Sequence, residues 1–83
     1  MTDRRTKTTQ ATDAFIAGNY TAAFRIFRNF GKVFNRAELR VIQIAYESLV
    51  GYAKFYQALN IDVKDYIADA KQLIIYKYPQ VKI

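Results

Sequence analysis

The side chains that could do chemistry in this chain are few. Its 83 residues include no His, no Cys and no Trp. That removes the usual general base near neutral pH, the thiolate nucleophile and the common zinc sites. Asp, Glu, Lys, Tyr and Ser remain. Asp62, Asp65 and Asp69 fall near one face at the start of a predicted helix, and three carboxylates so placed suit Mg²⁺ or Ca²⁺. A helix cap followed by acids that complement the helix dipole explains the same spacing more simply. Gly18, Gly31 and Gly51 stand apart from one another, so there is no glycine-rich phosphate loop. Ser48 lies mid-helix with no base near it and reads as a small packing residue. Glu47 reads as a solvated surface acid. No catalytic residue, metal site or cofactor is expected, and the chain is read as a non-enzyme.

Binding offers more. The segment FRIFRNFGKVFNRAELR interleaves four Phe with Arg25, Arg28, Lys32, Arg36 and Arg40. Arg alternating with aromatics suits single-stranded nucleic acid, through phosphate contacts and base stacking. The spacing also permits a plainer reading. Phe24, Phe27 and Phe30 fall at helical core positions, so the cations between them mark the outer, solvated face. These five cations are the candidate basic binding face. Ile74, Ile75, Tyr76 and Tyr78 crowd together near the C-terminus and form a candidate apolar interaction patch.

The elements that position these residues are helices. The organising stretch is 35–60, NRAELRVIQIAYESLVGYAKFYQALN, read as one long helix. Arg36, Arg40, Gln43, Glu47, Lys54 and Gln57 form a narrow polar stripe along it. Gly51 falls where that stripe would otherwise be apolar. Leu39, Ile42, Ala45, Tyr46, Leu49, Tyr52, Phe55, Tyr56 and Leu59 occupy much of the remaining circumference, which calls for neighbours on several sides. Before this helix, a short helix over 9–17 ends at Gly18. Asn19 then caps a second helix over 20–30, closed by Gly31. Ala11, Ala14, Phe15 and Ile16 are expected to face inward from the first, and Ala23, Phe24, Ile26, Phe27 and Phe30 from the second. Arg28 is expected outside. Asn35 with Glu38 is a capping-box pair, and Phe34 is placed to staple the helix entry. Asn60 suits a left-handed cap. Asp62 caps a last helix that runs to about residue 77, where Pro79 stops it. The expected fold is all-α: a small four-helix bundle with short connections, its third helix long and central. Residues 1–8 read as a flexible basic tail, 9–79 as one helical domain and 80–83 as a C-terminal tail.

Composition bounds the setting. Thirteen Tyr and Phe side chains are more aromatic surface than an 83-residue bundle readily hides. A homodimer or another protein is expected to cover the excess. The net charge of +6 is concentrated in the first half, which admits nucleic acid or an acidic protein as partner. MTDRRTKTTQ holds no apolar run, so no signal peptide is expected in it. No apolar window approaches a membrane span, and the cytoplasm is the expected location.

Two resemblances rest on particular residues. Ala17-Gly18-Asn19-Tyr20, with Ala23 and Phe27, resembles the turn and second helix of a tetratricopeptide or Sel1-type hairpin. That resemblance implies a glycine turn, a Tyr packed on the preceding helix and a small Ala where the helices approach. Ala17-Gly18-Asn19, Ala23-Phe24-Arg25-Ile26 with Phe30, Ala45-Tyr46-Glu47-Ser48, and Phe55-Tyr56-Gln57-Ala58-Leu59 with Asp62 resemble small helical proteins encoded by bacteriophages and prophages. This second resemblance implies a phage accessory setting, in the host cytoplasm, and no particular chemistry. The expected function is therefore a small non-enzymatic accessory protein that binds a host or phage protein. Nucleic-acid binding by the basic face is the alternative.

Overall fold

Local signals start and stop each helix. The structure, a computed structural model, describes residues 6–81. Thr6 accepts a hydrogen bond from the Thr9 amide at 3.1 Å and caps α1, Lys7–Ile16. Gly18, at φ +81°, ends it. The Asn19 amide reaches back to Ala14 O at 2.8 Å and the Gly18 amide to Phe15 O at 3.0 Å, which is the paired closure of a left-handed helix terminus. Asn19 accepts from the Ala22 amide and starts α2, Tyr20–Phe27. The capping box expected at Asn35 is present, with reciprocal bonds of 2.8 and 2.9 Å between Asn35 and Glu38. It opens α3, Arg36–Glu47. Asn60, at φ +61°, ends α4, Ala53–Ala58, and Asp62 caps α5, Val63–Lys77. Pro79–Val81 close the described chain as a 3₁₀ turn.

The fold is all-α, a small helical bundle with no strand among the described residues. Helices α1 and α2 fold back on each other as a hairpin, and α3 pairs with α5. The two pairs meet where α2 lies against α3. Phe24, Phe27, Phe34, Ile42 and Ile74 fill the centre. Ala11, Ala23, Ala45 and Ala70 are fully buried and let the helix backbones approach. Rings supply much of the volume: Phe27 meets Phe34 edge-on at 6.2 Å and lies tilted against Tyr78 at 5.3 Å. Phe15 meets Tyr20 edge-on at 5.2 Å across the first hairpin.

Several expectations need correction. The first helix begins at Lys7, so Lys7 and Thr8 are helical and not tail. Residues 1–5 and 82–83 of the expected tails lie outside the described residues, while Thr6 caps that helix and Gln80 lies in the closing 3₁₀ turn. Val81 is buried against the bundle and also does not belong to a tail. Ile16 is exposed, because α1 turns it away from α2. The second helix stops at Phe27, three residues before Phe30. Tight turns, Asn29 N to Ile26 O and Phe30 N to Phe27 O, replace its last turn. Gly31 therefore lies in the connection and closes nothing.

The largest difference is in the long third helix. It breaks at Gly51, which adopts φ +122° and ψ 2° within a π-type turn over Ser48–Tyr52. Only glycine adopts this backbone region readily. Ser48 Oγ donates to Ile44 O at 2.8 Å at the start of the turn, a back-bond that favours bending. The helical period runs through both sides of the break, so hydrophobic patterning alone reads the stretch as continuous. The result is a short arm, α4, set at an angle on the end of α3.

Candidate interaction surface

The ends of the third helix's polar stripe, Arg36, Arg40, Lys54 and Gln57, are exposed, but its middle is more than a solvated face. Gln43 and Glu47 are half-buried and joined to two other elements. Arg28, the C-cap of α2, donates from Nη1 to Gln43 Oε1 at 3.2 Å. Gln43 Nε2 donates to Glu47 Oε1. Tyr56 of α4 donates its hydroxyl to Glu47 Oε2 at 2.7 Å. The chain Arg28–Gln43–Glu47–Tyr56 thus links α2, α3 and α4. The hydrogen bond from Gln43, then that from Tyr56, holds the Glu47 carboxyl below its ordinary range, with Arg28 adding to this. The same Glu47 carboxylate pushes the Tyr56 hydroxyl pKa up.

The Tyr56–Glu47 contact requires the bend. On a straight helix, residues nine apart sit about 13.5 Å apart along the axis and on opposite faces. The turn at Gly51 brings them within hydrogen-bonding distance. Tyr56 therefore latches the arm onto α3.

Of the five basic candidates, four are exposed and Arg28 is not. Arg25 lines a groove with Lys7 and Gln10 of α1. Arg28 turns inward, with its guanidinium carbon 4.5 Å from the Tyr46 ring centroid. Its Nε is buried without a hydrogen-bond partner, and the ring face offsets part of that cost. Lys32 borders a hollow with Lys7, Asn29 and Tyr78. Arg36 and Arg40 are exposed along α3.

The C-terminal candidates do not form one patch. Ile74 is fully buried, and Ile75 and Tyr78 pack on the core. Tyr76 alone of the four is exposed, at 77%. The 3.6-residue period accounts for this split, since α5 must turn Ile74 inward to meet α3. Of the acids, Asp62 accepts from the Lys64 amide at 3.1 Å as a cap, while Asp65 and Asp69 are exposed. Among the described residues, no group of three such side chains is placed to hold a metal ion. No helix of the described chain is long and apolar enough to cross a membrane.

The open apolar surface lies on the arm. Leu49, Val50, Tyr52, Phe55 and Leu59 are exposed by 41%, 43%, 56%, 59% and 56%. No residue of α4 is buried. Tyr52, Phe55 and Leu59 are spaced three and four apart and share one helical face, with Leu49 and Val50 at its root. Leu49, Tyr52, Phe55 and Leu59 belong to the apolar circumference noted in the sequence, with Val50 beside them, but no helix among the described residues covers them. The missed signal was an excess of apolar residues around Gly51 over what one following helix can cover.

No protein-family model matches the chain, and neither a curated protein nor a solved structure does.

Proposed function

We propose that this chain is a small non-enzymatic interaction protein, of the phage accessory type its motifs resemble. It associates with protein through the α4 arm. One observation carries the reading: five large apolar side chains within eleven residues, 49–59, stand about half exposed. Single exposed apolar residues are ordinary, but a cluster on one projecting element favours a binding surface. The Tyr56 latch supports the reading further. It holds the arm in one position, which lowers the entropy lost on binding.

The test compares the wild type with Phe55→Glu and Leu59→Glu as immobilised baits in nuclease-treated host lysate, with an untagged copy of the chain co-expressed. Protein retained by the wild type and lost by both variants supports the arm. Equal retention by all three refutes it. The alternative, nucleic-acid binding, draws on the exposed Arg25, Lys32, Arg36 and Arg40. Phosphate contacts weaken steeply with added salt, and apolar contacts do not, so capture that is nuclease-sensitive and salt-labile would favour that alternative.

A further inference from the structure

We infer that the occupant of the arm is a second copy of this chain, docked arm to arm through Tyr52, Phe55 and Leu59. The inference rests on the reading of the arm as the binding element and names its partner. Two arguments on charge and one on area lead there.

The arm selects no charged partner. Between Ser48 and Ile61 the one ionisable charge at neutral pH is Lys54, although the chain as a whole carries +6. An acidic partner would be drawn to Arg36 and Arg40, and a nucleic acid likewise. A face made of Leu, Val, Tyr and Phe with one cation is matched by apolar surface of the same kind.

Geometry removes the objection that two basic chains repel. The twelve residues of α3 separate Arg36 from the root of the arm by about 18 Å. That exceeds two Debye lengths at physiological salt. Copies joined at their arms therefore keep Arg36 of each apart and screened, with Arg40 the one cation of α3 near enough to the arm to act on Tyr56, whereas contact through α2 and the start of α3 would oppose all of them. A two-fold contact also uses one patch twice, and such dimers are the commonest closed assemblies.

The area suffices. Tyr52 and Phe55, rings of roughly 150–250 Å² each and more than half exposed, together with the smaller Leu49, Val50 and Leu59, give the five arm residues on the order of 450 Å² per copy. Pairing two arms buries about 900 Å² from these side chains alone. The exposed Gln57 and Ala58 beside them bring the total to the roughly 1,000 Å² that separates specific interfaces from casual contacts.

Sedimentation equilibrium of the purified full chain is the test. The wild type should dimerise with a dissociation constant on the order of micromolar, as befits an interface near the lower size limit. Phe55→Glu should weaken it by about 30-fold or more, the mark of a central residue, and Tyr52→Lys should act in the same direction. Both positions are more than half exposed, so both variants should keep the wild-type far-ultraviolet circular dichroism and, well below micromolar concentration where every form is a monomer, the wild-type melting temperature. Arg25→Gln with Arg36→Gln should leave dimerisation intact, and added salt should not weaken it. A wild type that stays monomeric at the highest soluble concentration overturns the inference. So does a dimer indifferent to both arm variants. If the wild type is monomeric yet lysate capture still depends on Phe55, only the identity of the occupant falls. If capture is also indifferent, the reading of the arm falls with it.

Discussion

Replacing Tyr56 by Phe removes one oxygen and tests whether the arm is latched. In the folded chain that hydroxyl donates to Glu47 Oε2 at 2.7 Å, across the bend at Gly51. A hydrogen bond to a charged group contributes about 1.5–3 kcal/mol when fully protected. Both partners here are only half-buried, so water competes and about 1 kcal/mol is expected. For a domain of this size that lowers the melting temperature by roughly 4–8 °C. The effect must depend on pH. Glu47 has a folded pKa below its ordinary 4.5. Its contribution to stability is therefore present above the unfolded value and lost as pH falls through the folded one. Tyr56 has a folded pKa above its ordinary 10.0. Its contribution is full below the unfolded value and fades as pH rises through the folded one. The latch operates between these limits. Thermal melts of the wild type, Tyr56→Phe, Glu47→Ala and the double variant at pH 7 should give a coupling energy of about 0.5–1.5 kcal/mol. Below the folded pKa of Glu47, the difference between Tyr56→Phe and the wild type should shrink. Additive losses at pH 7, or a Tyr56→Phe deficit that persists unchanged in acid, would show that the contact contributes nothing and that the arm is held by other means.

Two further outcomes separate positions that look alike in the sequence. Ile74→Ala should cost about 2–5 kcal/mol in urea melts, because it opens a cavity in the centre, while Tyr76→Ala, two residues on and 77% exposed, should cost less than about 0.5 kcal/mol. Gly51→Ala should destabilise by about 1–3 kcal/mol from backbone conformation alone, since an added Cβ meets nothing within 4 Å at φ +122°. Gly31→Ala, equally open but without a positive φ, should stabilise by about 0.4–1 kcal/mol.

The chain's local signals were legible, and its choice of neighbours was not. Asn19, Asn35 with Glu38, Asn60 and Asp62 cap helices where their residue types predict, because a cap depends only on three or four adjacent residues. Phe24, Phe27, Ile42, Ala45 and Ile74 are buried as the 3.6-residue period requires. Arg28 was misplaced because periodicity fixes an angle around α2 and does not say that Tyr46 and Gln43 wait at that angle. Glu47 was misjudged for the same reason: its partner Tyr56 lies nine residues away and reaches it only after a bend. The stretch 35–60 shows the limit most clearly. Its first half has α2 and α5 as neighbours, so its apolar circumference is covered. Its second half has the same pattern, but α2 and the body of α5 already lie on α3, and α4 touches little beyond the turn before it and a short part of α5. An amphipathic pattern states how much surface must be covered, and the chain's topology decides what is available to cover it. Where the topology offers nothing, as at Tyr52, Phe55 and Leu59, the requirement passes to a second molecule.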